Sequence, residues 1–281
     1  MPVIDAAWNE WLALNAGRGC TPASMIDAMV QAGFERSAAQ LAVNQVLGGT
    51  VAAAPATAHN TAYHYDPAPV PAGNNINAAG RDVPVLARFE RPQVIVFGDV
   101  LTPAECEELI RRAQYRLQRS TTIEPATGRG YIIQERTSDS ASFPRGEDAF
   151  IAGIEARIAA LMHWPVEHGE GLQVLRYGVG GEYRPHFYYF PPEQPGSASR
   201  LATGGQRVAT LVIYLNEVAA GGETTFPAAG IAVTARRGSA VYFRYLNGQR
   251  QLDPLTLHAG TPVIQGEKWI LTQWMRERRW Q

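Results

Sequence analysis

The sequence predicts an α+β protein in which a small helical module precedes a body built as a β-sandwich or jelly roll. Three observations carry this. Apolar residues recur at three- and four-residue spacing over about residues 4 to 48. Residues 51 to 84 lose apolar periodicity and run to Ala, Pro, Asn and Gly. From about residue 91, two helical stretches lead into many short strand-like runs separated by Gly and Pro turns, an order typical of α+β domains.

In the module, a first helix carries Trp8, Trp11 and Leu12. Thr21 before Pro22 reads as an N-cap with proline at the first helical position, and Met25, Ile26, Met29 and Val30 form an apolar stripe that stops at Gly33. A capping box of Ser37 and Gln40 opens a third helix through Leu41, Val43 and Val46, which ends at Gly48-Gly49. The chain thus divides into a three-helix module over residues 1–50, a linker or surface strap over 51–90, and a main domain over 91–281. His59 and His64 fall in the strap and read as solvated.

The main domain opens with "PQVIVFGDVL", a strand. A capping box of Thr102 and Glu105 follows, starting a helix with Cys106, Leu109, Ile110 and Ala113 on one face. A second helix lies in "EDAFIAGIEARIAALMHW". The runs "GLQVLRYGV", "RVATLVIYLNEV", "IAVTARRGSAVYFRY" and "PVIQGEKWILTQWMRE" are strands, with "GGETTFP" a tight turn. His163 and His168 in "HWPVEH" lack a helix-compatible zinc motif and read as structural.

Composition narrows the function classes. The chain has 281 residues, 46% hydrophobic and 18% charged, with a formal charge of −1, so no charge argument points to nucleic acid or an anionic membrane. The first residues carry Asp5 and Glu10 and do not read as a secretory signal, and no run is apolar enough to span a bilayer. Cys20 and Cys106 exclude a disulfide framework and a cysteine zinc site. A cytoplasmic location is the expectation.

The chemistry concentrates around two histidines. His186 lies in "EYRPHFYYFPP" and His258 in "LHAGTPVIQGEKWILTQWMRER", with Lys268 further along the second run. These runs, with "LQVLRYGVGGEYRPHF", "GGQRVATLVIYLNEVAAGGETTFP" and "ERTSDSASFP", resemble in order the prolyl 4-hydroxylase branch of the iron(II) and 2-oxoglutarate-dependent oxygenases. The resemblance implies a double-stranded β-helix, a jelly-roll barrel with the metal in its mouth. It implies His186 and His258 as metal ligands, Lys268 and Tyr177 holding the far carboxylate of 2-oxoglutarate, and Tyr183, Arg207 and Trp274 lining a peptide channel. It further implies Fe(II) and 2-oxoglutarate, with ascorbate as reductant, and hydroxylation of a peptidyl proline or another C–H substrate through a ferryl species. Two imidazoles and a carboxylate leave three iron positions for a bidentate 2-oxo acid and dioxygen.

The sequence departs from that family's pattern at the metal. Its motif is His-x-Asp, and Tyr188 stands where the Asp belongs. A free phenol titrates near about 10, so it is no ready anionic ligand at neutral pH. Four explanations stay open: phenolate ligation of the metal by Tyr188, a site in which the two histidines and 2-oxoglutarate suffice, as in the related halogenases, loss of catalysis leaving a fold that binds a peptide or 2-oxoglutarate, or a deliberate substitution. Glu223 in "GGETTFP" is a spare carboxylate that the family pattern does not place on the metal. The run "MIDAMVQAGFERSAAQLAVNQV" resembles a ubiquitin-associated-type three-helix fold, which implies a protein partner through residues 1–50.

Overall fold

The computed structural model describes residues 4, 6–17, 20–48 and 63–280. It forms two compact units, residues 1–60 and 61–281.

The first unit contains α1 (Ala6–Gly17), α2 (Pro22–Gln31) and α3 (Arg36–Gly48). Thr21 caps α2, its hydroxyl accepting from the Ser24 N–H at 3.2 Å. Leu12, Met25, Ile26, Met29, Phe34, Ala42 and Val43 close a small core, against which Trp8 and Trp11 pack. Two expectations need correction. Ser37 lies inside α3, where its hydroxyl bonds to Glu35, so it is not the start of a capping box. Leu41 is 65% exposed, because the face of α3 that meets the core is set by Ala39, Ala42, Val43 and Val46. Gly49 and His59 lie outside the described residues.

In the second unit the strap is shorter than the composition suggests. Residues 75–90 form β1 (Asn75–Ala78) and β2 (Arg81–Glu90), a hairpin, and β2 runs on into β3 (Gln93–Phe97). Periodicity misses them because only Val83 of β2 is fully buried, its other residues are half-buried or exposed without alternation, and it contains Pro84. Residues 63–67 are tied down as well. The Asn247 side chain donates to His64 O at 2.8 Å, and Arg244 pairs with Asp66.

Then come α4 (Pro103–Ala113), β4 (Gln118–Arg119), β5 (Thr122–Ile123), β6 (Gly130–Tyr131), β7 (Asp139–Phe143) and α5 (Ala149–Met162). Thr102 and Glu105 make the expected capping box, and Glu105 also takes a bidentate ion pair from Arg157 on α5 at 2.8 and 2.9 Å. The remaining elements start with β8 (Leu172–Tyr177), β9 (Tyr183–His186), α6 (Ser197–Ala202) and β10 (Arg207–Tyr214). They continue with β11 (Ala220–Gly221), β12 (Thr224–Phe226), β13 (Ile231–Val233), β14 (Ala240–Arg244), β15 (His258–Gly260), β16 (Val263–Gln265) and β17 (Lys268–Arg276).

A nine-stranded antiparallel sheet runs β1-β2-β3-β14-β10-β17-β8-β7-β4, and a four-stranded sheet runs β13-β12-β15-β9. Alternation along the central strands divides their side chains between two cores. Leu211, Ile213, Tyr242, Leu271 and Met275 point to the side where α4 and α5 bring Leu109, Ile154 and Ile158. Val212, Tyr214, Val241, Phe243 and Ile270 point into a second core shared with Phe226 and Val233 of the small sheet. Two sheets enclosing one core, helices outside, make the double-stranded β-helix, an α+β jelly roll. No helix among the described residues is long and apolar enough to cross a membrane.

These packing roles make a testable contrast. Leu211→Ala, on the central strand, is expected to cost about 2–5 kcal/mol in urea unfolding, whereas Leu41→Ala is expected to stay within about 0.5 kcal/mol.

Candidate active site

His186 ends β9 and His258 begins β15, and the two strands pair so that these residues stand directly opposite. Their ring centroids are 4.2 Å apart at 57°. Each ring is oriented by the carbonyl two residues before it: His186 Nδ1–H donates to Arg184 O at 2.8 Å and His258 Nδ1–H to Thr256 O at 2.9 Å. That tautomer leaves Nε2 as a lone-pair donor. Both Nε2 atoms are buried and have no hydrogen-bond partner. Burial pushes His258 down to about 4, and burial together with the neighbouring His258 pushes His186 well below the usual histidine range.

Two orphaned, neutral imidazole nitrogens on facing strands fit two ligand positions of a divalent metal. The third position does not fit in the same way. Among the described residues no cluster of three or more His, Cys, Asp or Glu could hold a metal ion. Tyr188 stands there, its ring edge-on to His186 at 5.0 Å and to His258 at 4.3 Å, stacked on Phe243 at 5.7 Å and edge-on to Trp274 at 5.3 Å. Burial, with Tyr177 nearby, pushes its hydroxyl above the ordinary phenol range. Glu223 is elsewhere engaged: it takes a hydrogen bond from the Thr261 hydroxyl.

The two residues expected to hold the oxo acid meet across paired strands. Lys268 opens β17 in register with Tyr177 on β8. Lys268 is 3% exposed, and its ammonium lies over the rings of Tyr177 at 5.7 Å and Tyr214 at 5.8 Å. Burial pushes it down to about 8, partly countered by Glu223, so it stays largely protonated at neutral pH. Gly222, at φ +71°, is where a side chain would press on Lys268: a Cβ there would stand 3.3 Å from Lys268 Cδ.

Arg136 is a site residue that sequence reasoning missed, although the run "ERTSDSASFP" contains it. Backbone bonds from Thr137 N to Glu182 O and from Arg184 N to Glu135 O lay this segment beside β9. Arg136 donates to Thr121 O at 2.7 Å and Gln173 Oε1 at 3.3 Å, its Nε is buried without a partner, and it lies 5.0 Å over the Tyr183 ring. Tyr183 in turn stacks on His186 at 3.4 Å.

Arg207 and Trp274, both expected to face a substrate, form part of the site's wall. Glu170 takes two hydrogen bonds from Arg207, at 2.7 and 2.9 Å, and pairs with Arg276 at 2.7 Å. The Arg207 guanidinium stacks over Trp274 at 4.1 Å and Phe190 at 4.8 Å, and donates to Tyr188 O at 3.3 Å. Its donors are therefore committed to holding the segment that carries Tyr188. The Trp274 indole N–H is buried and unpartnered. Burial pushes the Glu170 carboxyl up, but Arg207 and Arg276 together hold it below the usual carboxylate range. Glu170 and Gln173 carried no signal in the sequence, since their partners are distant in the chain.

The jelly-roll fold and the paired histidines together define the scaffold of a metal-dependent oxygenase. The sequence profile of the 2OG-Fe(II) oxygenase superfamily matches residues 172–276. The chain is 39% identical over 204 residues to probable prolyl 4-hydroxylase 10 of Arabidopsis thaliana, covering 66% of this chain and 69% of that one. It is 40% identical over 202 residues to prolyl 4-hydroxylase 1 of the same plant, covering 66% and 70%. Among solved structures, the 2OG complex of the viral collagen prolyl hydroxylase from Paramecium Bursaria Chlorella virus-1 superposes with a TM-score of 0.51 at 28% identity, over 65% of this chain and 95% of that one. The chain belongs to the prolyl 4-hydroxylase family of 2OG-Fe(II) oxygenases.

The Glu170 cluster can be tested by stability alone. Glu170→Gln leaves two buried guanidinium groups without their carboxylate and is expected to cost about 3–5 kcal/mol in urea unfolding. Glu167→Gln, at an exposed side chain, serves as the control, with an expected change within about 0.5 kcal/mol.

Proposed function

We propose that this protein is a 2-oxoglutarate-dependent oxygenase that hydroxylates a proline in a peptide or protein through an altered site of His186, His258 and Tyr188. The observation that carries the reading is the register match of His186 and His258, which leaves two buried Nε2 atoms converging with no partner. The names of its relatives, prolyl 4-hydroxylases from plants and a viral collagen prolyl hydroxylase, support a proline-containing substrate. Bound Fe(II) with 2-oxoglutarate would supply the oxidising chemistry, with ascorbate as a reductant.

The chain's own residues bind, orient and exclude water. His186 and His258 would hold the iron, each imidazole locked by its carbonyl. The buried Lys268 ammonium is suited to the far carboxylate of the oxo acid, with the Tyr177 hydroxyl beside it. Tyr183, Tyr188 and Phe243 pack on the imidazoles, with Trp274 against Tyr188, an aromatic surface suited to keeping water from the reacting centre. Tyr183 and Trp274 are the side chains we assign to substrate contact, and a polyproline II peptide on aromatic rings is a sound match. The helical unit of residues 1–50 would serve to bind a protein partner, and we keep a cytoplasmic location as part of this reading.

One observation favours a second reading, a scaffold that binds peptide or oxo acid with little or no turnover. Tyr188 presents a protonated ring in place of a carboxylate.

Succinate release separates the two. The Tyr188→Asp variant restores a ligand and is expected to raise succinate formation by more than the roughly 10–100-fold that even outer-shell partners of a metal command. Succinate from the unaltered chain supports turnover; none from either protein, together with no 2-oxoglutarate binding, refutes the site. Lys268→Ala, which removes a charge-assisted contact, is expected to raise the 2-oxoglutarate concentration needed for half-saturation about 10–100-fold, read by calorimetry.

A further inference from the structure

Residues 64–67 are bound to groups far along the chain. The Gln93 side chain donates to Asp66 O. Arg244, which faces Gln93 across β3 and β14, donates to Pro67 O at 3.2 Å and pairs with the Asp66 carboxylate at 3.3 Å. The loop after β14 holds the same segment. The Asn247 side chain donates to His64 O at 2.8 Å, the His64 N–H donates to Gln251 Oε1 at 2.9 Å, and the Gly248 N–H donates to the Asp66 carboxylate at 2.6 Å.

From that loop a run of hydrogen bonds leads to β15. Leu246 bridges Leu252, and the Asp253 N–H donates to Tyr245 O at 2.8 Å. Asp253 is fully buried, and its carboxylate caps the turn Pro254–Thr256 by accepting the Leu255 N–H at 2.9 Å. Tyr65 places its hydroxyl beside the same carboxyl. Asp253 O accepts the N–H of Thr256 at 3.2 Å and its hydroxyl at 2.6 Å. Thr256 O is the acceptor that orients the His258 ring.

His186 is the contrast. Its orienting acceptor, Arg184 O, belongs to β9, which is held by β15 and by Glu135 O. Among the described residues, none of the bonds made by residues 64–67 reaches it.

We propose that residues 64–67 are a positioning segment for His258: they hold the loop after β14, and through Asp253 and Thr256 that loop fixes the direction of the imidazole. The segment lies ahead of residues 172–276, which carry the superfamily match, and its bonds to the loop span 182 to 187 residues of sequence. Misplacing a working group by 1 Å from a distance costs a site about 100-fold, and such a brace prevents that. The inference goes beyond the oxygenase reading, because the ring is held in the free protein whether or not the site turns over.

The test is proton exchange at the two imidazole Nδ1–H groups of the full chain without added metal, resolved by nitrogen-15 NMR at one pH. Asp66→Ala removes the partner of Gly248 and Arg244, and is expected to speed exchange at His258 about 10-fold or more while His186 stays within about twofold. Tyr65→Phe deletes one hydroxyl, keeps the ring, and is expected to speed exchange at His258 alone by about fivefold. It decides the matter should Asp66→Ala not fold. Equal acceleration at both rings reports general loosening and overturns the proposal. An unchanged His258 in Asp66→Ala, or in Tyr65→Phe where Asp66→Ala does not fold, overturns it as well. The oxygenase reading stands or falls separately, by succinate release.

Discussion

Two imidazoles face each other from β9 and β15, and the pairing of those strands sets what the pocket can do. Each ring is tied through Nδ1 to the carbonyl two residues earlier in its own strand. The strand backbone therefore fixes both tautomer and orientation, and Nε2 of each ring is left buried without a partner. Neither histidine has a side-chain partner in this role. Tyr188 packs edge-on against both rings but takes no part in these two hydrogen bonds.

The large sheet divides labour between its faces. On β17, Lys268, Ile270, Thr272 and Trp274 alternate with Trp269, Leu271 and Met275, so one strand serves both the pocket and the helix-covered core. The Arg207–Glu170–Arg276 cluster extends the pocket wall with a buried ion pair whose third donor reaches Tyr188 O. Rigidity around the histidine pair thus comes from aromatic stacking and charge pairing, while the two Nε2 atoms keep no partner.

Much of the fold was legible from local pattern. The caps at Thr21 and Thr102, the helix of α5 and the strands β8, β10, β14 and β17 follow from spacing and capping chemistry. The β1–β2 hairpin was not legible, because β1 is only four residues long and β2 buries only Val83 fully. Leu41 misled for the opposite reason: an apolar residue at nearly the right spacing lies just off the buried face of α3. In the site, His186, His258, Lys268 and Tyr177 were found through motif order. Arg136 and Glu170 were not singled out, since their roles depend on partners brought near by strand pairing and turns.

By itself the sequence determined the kinds of donor available: two histidines, a lysine, a cluster of aromatics, and a tyrosine in place of an aspartate. These are properties of residue type and order, and folding does not alter them. Only the tertiary structure decided that the histidines stand in register, that Lys268 and Arg136 are buried, and that Arg207 is spent on Glu170 and the backbone of Tyr188. Charge balance inside a closed barrel depends on which distant groups share one low-dielectric space, and strand pairing across the two sheets alone sets that.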